Sequence, residues 1–333
     1  MTEAGGGLAF ATQTPLTTGA FPPRREGRRI LVAAALVVAV GGAALGAEGG
    51  ASHYLPGAGG DMLLAVPPAP GLTVANTVWF QTGEIDSAVL GGRAKLGLDL
   101  DLALNLASAA YTFGTPVLGG AYTMAAMVPF GYANLSASLT GPGGGKIDAS
   151  GDSFALSDAA FIPIQLNWSA GAFSFKASQA IIAPTGAYSV DNAVNLGRNY
   201  WSFDTAGAVT WFDEESGREV SLAPGIMVNT ENPDTDYRTG TEFHLDFTAT
   251  QFVSPSFAVG LRGYWYRQIT GDSGAGAILG DFKSESVGLG LGFLWTPPVG
   301  DGRLSVAGKW MRDIYADNRF ESDYFTLTGA WNF

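Results

Sequence analysis

The chain is 333 residues long, with 47% hydrophobic residues, 14% charged residues and a formal net charge of -12. So large a hydrophobic share excludes an intrinsically disordered chain, and the acidic balance argues against nucleic-acid binding, which needs basic surface to displace counterions. The absence of cysteine excludes disulfide scaffolds, thiolate zinc sites and cysteine nucleophiles. Because ordinary soluble domains hold about 25% charged residues, the composition favours a protein that contacts something other than water.

The first 47 residues are typical of an export signal. Four arginines between positions 24 and 29 precede the apolar run 30–40, and small residues then lead to Ala47. A basic stretch, a short apolar stretch and small residues predict a signal peptide over 1–47 with an extended n-region, cleaved near Gly46 or Ala47. The alternative is a single transmembrane anchor, for which this run is short against the roughly 20 residues that a helix needs.

After the signal, hydrophobic residues recur with a period of two. The six leucines at even positions from Leu96 to Leu106 fall on one face of a strand, and Asp99, Asp101 and Asn105 fall on the other. About twelve segments of this kind follow one another, most of them as long as the roughly 9 to 11 residues that cross a bilayer as a tilted strand. They are 72–83, 95–113, 118–140, 154–168, 172–183, 200–213, 219–229, 238–252, 256–269, 283–296, 302–312 and 321–333.

The connections between these segments alternate between long and short along the whole chain. Short turns at one rim and long loops at the other are typical of an outer-membrane barrel with both termini on the periplasmic, short-turn side. We therefore expect an all-β fold, a transmembrane antiparallel β-barrel of about 12 strands (alternatively 14) over residues 72–333. The proline- and glycine-rich segment 48–71 is expected to fold back as a short plug of the lumen. A soluble β-sandwich or propeller would need more charged outer surface than this chain supplies.

The last strand ends on an aromatic residue. Phe333, Trp331, Gly329, Leu327 and Phe325 share one face. This ending resembles the insertion signal read by the bacterial barrel assembly machinery, which we therefore expect as a partner in the outer membrane. Outer-membrane lipid and lipopolysaccharide are the other expected partners.

The period-two pattern also predicts which polar side chains face the lumen. Charged groups inside a membrane usually pair with one another, and acids and bases are both present on the predicted inner faces. These residues are Asp99, Asp101, Asn105, Lys176, Glu242, His244, Asp246, Arg262, Tyr264, Tyr266, Gln268 and Lys309.

Catalytic and metal-binding motifs are weak in this sequence. His244 stands between Glu242 and Asp246 on a predicted inner face, but no Gly-x-Ser-x-Gly elbow accompanies it, so a lumen pair is favoured over an enzyme. The stretch 141–146 lacks the spacing and the Ser or Thr of a phosphate loop. The acidic loop 231–236 lacks the glycine and the distal glutamate of an EF-hand. We expect no catalytic residues, no cofactor and no metal.

Seven short motifs, in a fixed order, carry a family resemblance. They lie at 50–57, 60–61, 66–71, 183–188, 195–201, 229–237 and 263–268, and include NLGRNYW at 195–201 and GYWYRQ at 263–268. Together they resemble the family named for the meta-pathway of phenol degradation, whose members are exported barrels related to FadL-type transporters. The resemblance implies an outer-membrane channel for passive uptake of hydrophobic, often aromatic, small molecules. It implies no particular site residues. A porin for polar solutes, an outer-membrane enzyme and a structural barrel remain alternatives.

Overall fold

The computed structural model describes residues 47–89, 94–140, 144–278, 280–299 and 303–333, so the predicted signal peptide lies outside the described residues except for Ala47. None of the helices in these ranges is long and apolar enough to cross a membrane. A single 3-10 turn, Glu48–Gly50, precedes thirteen strands. The strands are β1 (Gly71–Val89), β2 (Ala94–Thr112), β3 (Ala121–Thr140), β4 (Lys146–Leu156), β5 (Ala159–Ala170), β6 (Phe173–Ala183), β7 (Ser202–Asp213), β8 (Arg218–Asn229), β9 (Glu242–Ser254), β10 (Phe257–Gln268), β11 (Glu285–Trp295), β12 (Leu304–Asp317) and β13 (Glu321–Asn332).

Twelve of the strands close into an antiparallel barrel. Consecutive strands pair around the ring, β3 pairs with β5, and β1 pairs with β13 from Thr73↔Asn332 to Glu84↔Glu321. Closure leaves no edge strand within the ring and satisfies the backbone groups internally, as hydrocarbon requires. The prediction of a transmembrane barrel of about twelve strands is confirmed.

β4 is an additional strand in a stretch that the sequence pattern assigns mostly to a loop. It pairs with residues 130–140 of β3, and β5 pairs with residues 121–127 of the same strand. β4 and β5 therefore lie end to end along β3, separated only by Ser157 and Asp158. The predicted loop over 141–153 is wrong in this respect, because alternation of small and polar residues gives a weak strand signal.

The two ends of the barrel differ. The connections 113–120, 171–172, 214–217 and 255–256 lie at one end, here called the short-turn rim, and 184–201, 230–241 and 269–284 lie at the other, the long-loop rim. The strands β1, β2 and β3 are 19, 19 and 20 residues long and reach into the long-loop rim. Much of the predicted loop 84–94 is therefore strand.

The described chain ends lie at opposite rims. The Phe333 amide donates a hydrogen bond to the Leu72 carbonyl at the short-turn rim (2.8 Å). The Ala47 amide instead donates to Asp272, in the connection between β10 and β11 at the long-loop rim (3.1 Å). Ala47 lies at the rim opposite to Phe333 because the residues before β1 run back through the barrel.

The outer surface of the barrel is an apolar belt. Alternate residues of each strand expose aliphatic and aromatic side chains to the surroundings, as a lipid-facing wall does. The exposed residues include Phe175, Val220, Leu222, Ile226, Val259, Leu261, Leu289, Leu291, Trp310, Phe325 and Leu327.

On β2 the orientation is the reverse of the predicted one. Leu96 and Leu98 are buried against Phe320, and Leu104 and Leu106 belong to the buried cluster at the centre of the lumen. The opposite face carries three residues that were predicted to face the lumen. Asp99 and Asp101 are exposed on the outside, and Asn105 accepts a hydrogen bond from the outward Asn76 (3.2 Å).

The reversal follows from the lengths of the strands. β1, β2 and β3 exceed what a bilayer needs, so their ends project into water and follow the rule of soluble sheets, with the apolar face inside. The outer face changes from apolar to polar between two adjacent rows of paired residues. Phe80, Ala103 and Tyr132 form the apolar row, and Thr82, Asp101 and Asn134 form the polar row. Asn105 lies on the lipid side of this boundary, where the Asn76 side chain is its partner.

Close backbone approach at an inward glycine gives a test of the register. A Cβ at Gly290 would clash with the Trp310 carbonyl oxygen, whereas a Cβ at Gly329 would meet no atom within 4 Å. We expect Gly290→Ala to destabilise the barrel by about 1–3 kcal/mol and Gly329→Ala to have little effect. Heat-modifiable mobility in SDS gels, titrated with urea, measures both. Equal stability of the two variants would contradict this register.

Candidate functional site

Residues 47–70, here called the inner segment, run through the barrel from the long-loop rim to the start of β1. At the long-loop end, the Glu48 carboxylate accepts hydrogen bonds from Asn232 (3.0 Å) and Thr235 (2.8 Å). Near the short-turn end, the Ala65 amide donates to Thr210 (3.0 Å), and the Ala65 carbonyl accepts from Asn167 (3.0 Å). The segment is thus held to the inner wall along its length.

Tyr54 forms the central contact between the inner segment and the wall. Its ring stacks on His244 (centroids 4.5 Å apart) and on Tyr266 (5.7 Å). Its hydroxyl donates to the buried Asp246 carboxylate (2.7 Å), which also accepts from the Gly57 amide (2.9 Å). A carboxylate buried this deeply is costly unless it is hydrogen-bonded, so the inner segment stabilises the charge of Asp246.

Two lysines of the wall bind the next part of the inner segment, residues 57–61. The Lys309 ammonium pairs with Asp61 (2.9 Å) and donates to the Gly57 carbonyl (2.5 Å). From the other side of the lumen, Lys176 reaches the Gly59 carbonyl (3.4 Å). Backbone carbonyls and one carboxylate of the segment therefore satisfy cations that the lumen would otherwise leave buried and unpaired.

His53 connects the inner segment to the break between β4 and β5, which consists of Ser157 and Asp158. Its Nε2 lies 2.9 Å from Asp158, which also accepts hydrogen bonds from the Gly186 and Arg198 amides. Burial lowers the pKa of His53, and the bond to Asp158 opposes the shift only in part. Burial alone would raise the pKa of Asp158, but the hydrogen bonds from His53 and the two amides outweigh it and hold that pKa below its usual range.

The wall residues predicted to face the lumen divide into two groups. Nine lie on the inner face: Lys176, Glu242, His244, Asp246, Arg262, Tyr264, Tyr266, Gln268 and Lys309. Asp99, Asp101 and Asn105 do not join them.

Within the inner group, tyrosine–carboxylate pairs recur. Tyr266 donates to Glu242 (2.6 Å) and Tyr264 donates to Asp313. Arg319, which lies between β12 and β13, covers the Tyr266 ring at 4.2 Å from its centroid. Asp313 and Arg319 were not among the predicted lumen residues, since a bulge in β12 and a short connection break the period of two there.

A cavity of about 410 Å³, lined by apolar and polar side chains, lies beside the inner segment toward the long-loop rim. Its floor includes Tyr54 and Leu55 of the segment, and its walls come from β2, β3, β5, β6 and the connection 184–201. The apolar wall residues are Leu100, Leu102, Leu104, Met127, Ala133, Leu135, Ala160, Ile182, Val190, Val194 and Leu196. Leucines that the period places on one face of β2 thus line a space large enough for a small apolar molecule.

Residues considered for other chemistry have ordinary partners. His244 lies 3.0 Å from Asp204 through Nε2, and Tyr54 covers its ring. Over the described ranges, no group of three or more His, Cys, Asp or Glu side chains is placed to hold a metal ion. The acidic loop 231–236 forms no such group.

A closed twelve-stranded barrel with an internal N-terminal segment and an apolar outer belt defines an outer-membrane barrel of Gram-negative type. The sequence model of the family described as "Putative MetA-pathway of phenol degradation" matches residues 81–328. The chain belongs to this family, an outer-membrane channel family linked to phenol degradation. A comparison with curated protein sequences finds no match.

Three solved structures are similar to this chain to different degrees. The COG4313 outer membrane channel from Pseudomonas putida F1 is 17% identical, with a TM-score of 0.63, covering 84% of this chain and 100% of that chain. The transport unit of the autotransporter AIDA-I from Escherichia coli is 12% identical, with a TM-score of 0.42, covering 80% and 91%. OmpT, an outer membrane protein of Vibrio cholerae, is 7% identical, with a TM-score of 0.35, covering 79% and 96%.

The Tyr54 contact predicts how firmly the inner segment is held. Since the chain has no cysteine, a single Ser52→Cys substitution at a buried position gives a unique thiol reporter. In this background we expect Tyr54→Phe to raise the rate of maleimide labelling by about tenfold or more, because one charge-assisted hydrogen bond worth roughly 1.5–3 kcal/mol is lost. Tyr54→Ala, which also removes both stacking contacts, should raise it further. Equal rates in all three proteins would contradict this role.

The His53 contact predicts a pH dependence with a defined sign. Because the folded state lowers the pKa of His53 below its ordinary 6.5, the neutral ring is the docked form. Docking is therefore strongest above pH 6.5 and weakens as the pH falls below it, by at most about tenfold per unit. We expect labelling of the Ser52→Cys thiol, relative to the same reporter with His53→Gln, to increase from pH 7.5 to 5.5. A constant ratio would show that His53 does not titrate with docking.

Proposed function

We propose that this protein is a passive channel for hydrophobic, mainly aromatic, small molecules across the outer membrane. The observation that carries the proposal is the leucine-lined cavity of about 410 Å³ inside the barrel. A lumen that served only water and ions would need polar walls. Apolar walls instead lower the free energy of a hydrophobic solute by roughly 25 cal/mol per Å² of apolar surface removed from water.

The orientation of the barrel and its partners are part of the same proposal. The long-loop rim faces the exterior, as in outer-membrane barrels generally, so the cavity is the first apolar space that an incoming solute meets. The polar outer faces of β1, β2 and β3 lie at the level of lipopolysaccharide. Phe333, 61% exposed at the short-turn rim, supplies the signal for the barrel assembly machinery.

The inner segment is the barrier between the cavity and the short-turn rim. Tyr54 and Leu55 line the cavity, while Asp61, Leu64 and Ala65 bind the wall below it. A solute leaving the cavity toward the periplasm passes this segment. Movement down a concentration gradient, maintained by intracellular breakdown of the solute, requires no energy-coupling element.

The competing function is a porin for polar solutes, and the buried charges of the lumen are the observation in its favour. Glu242, Asp246, Arg262 and Lys309 are all buried within the barrel. Liposome swelling with small sugars separates the two functions. A porin admits sugars regardless of the leucine surface, whereas the proposed channel admits them poorly.

A substitution within the cavity tests the proposal directly. We expect Leu102→Gln to weaken naphthalene binding to the purified protein by about tenfold, since a buried amide without partners costs roughly 1–3 kcal/mol. Naphthalene fluorescence titration measures the affinity. Leu98→Gln is the matched control, because Leu98 is buried on the same face of β2 but does not line the cavity. Failure of naphthalene to bind the unaltered protein, or equal loss in both variants, contradicts the proposal.

A further inference from the structure

A row of inward residues near the short-turn rim contains a patch of two adjacent glycines. Glu219, Thr250, Gly260, Gly292 and Lys309 are directly paired, one after another, across β8 to β12. Neighbouring side chains cover the two glycines, and a Cβ at Gly260 would be 2.8 Å from Thr250 Oγ1. The neighbouring Arg262 lies across this patch, since a Cβ at Gly292 would be 2.9 Å from Arg262 Nε.

Arg262 is buried without a partner. The residue is 3% exposed, and its Nε, Nη1 and Nη2 have no hydrogen-bond partner among the residues that the structure describes. The Thr250 hydroxyl and Glu219 Oε2 are likewise buried and unpartnered in the described ranges. Lys309 differs, because it is engaged by Asp61 and by the Gly57 carbonyl. A buried guanidinium without hydrogen-bond partners costs free energy, so a ligand that supplies acceptors would stabilise it.

The unpartnered atoms are mostly donors. A guanidinium carries five N–H donors and no acceptor, and Thr250 adds a hydroxyl. The opposing acceptors in the row are the Thr250 hydroxyl oxygen and Glu219 Oε2, since Glu219 Oε1 already accepts from Thr248 (2.7 Å) and from Ser221. An excess of donors around an arginine fork matches a planar oxyanion, which guanidinium binds through two parallel hydrogen bonds.

We propose that Arg262 and Thr250 form a binding site for a carboxylate group on the lumen wall. This inference rests on the proposed function, and it extends the solutes of the channel to hydrophobic molecules that carry a carboxylate, such as aromatic acids. Arg262 holds both carboxylate oxygens, and Thr250 donates to one of them. Glu219 sets the far boundary of the site and weakens it by charge repulsion.

The test is isothermal titration of the purified full-length protein with sodium benzoate. We expect saturable binding that Arg262→Met weakens by about tenfold or more, as loss of a charge-assisted hydrogen-bonded pair predicts. Glu219→Gln should tighten binding several-fold. Arg267→Met is the matched control: Arg267 lies on the same strand, is half-exposed on the outside and faces Glu285, so benzoate affinity should not change. The heat-modifiable gel shift verifies that each variant is folded.

Competition with a second anion shows whether the site recognises a carboxylate group or negative charge alone. Sodium acetate should displace benzoate, because it carries the same carboxylate, and sodium chloride at equal concentration should not. Displacement by chloride overturns the carboxylate assignment. The absence of benzoate binding, or equal binding by Arg262→Met, overturns the site, in which case Arg262 and Glu219 form a water-linked structural pair. Naphthalene titration of the unaltered protein reports the proposed function independently, so failure of either is recognised separately.

Discussion

The structure depends on the requirement that backbone amides and carbonyls buried in hydrocarbon find partners within the protein. Closure of β1 on β13 meets it by joining strands some 250 residues apart in the chain. Once the ring is closed, side chains divide between two environments, and each strand must satisfy both at once. The apolar belt outside, the polar network inside and the position of the inner segment all follow from this division.

The inner segment resolves a conflict that closure creates. A ring of this size brings Asp246, Lys309, Lys176 and His244 into a narrow lumen where few waters fit, and an unpaired buried charge is costly. Tyr54 and Asp61, with the amides and carbonyls of neighbouring glycines, supply the missing partners. The segment thus supplies polar partners inside the barrel, and the same contacts hold it in place.

The accuracy of the sequence prediction depended on whether the outer face of a strand lies in lipid or in water. On β9 and β10, alternation predicts the inner face for Glu242, His244 and Arg262, and all three are buried within the barrel. On β2 the same alternation gave the wrong sides for Asp99 and Asp101, because that strand leaves the membrane and period alone does not say where. The cavity was missed for the same reason, since its leucines were assigned to the lipid face. The partners of Tyr54 needed three-dimensional contacts that no period encodes.

The break between β4 and β5 has a consequence for the bilayer that the barrel prefers. Strands β5 to β11 are 11 to 13 residues long, which at their usual rise and tilt is a paired wall about 30 Å high. Above Ser157 and Asp158, among the described strands, β4 has a ladder partner on one side alone, which is tolerable only where water reaches its backbone. A thicker membrane would draw that edge into hydrocarbon. A bilayer thicker than the paired wall is therefore disfavoured at β4, at one point of the circumference. The junction between β4 and β5 marks the depth at which the barrel sits in the membrane.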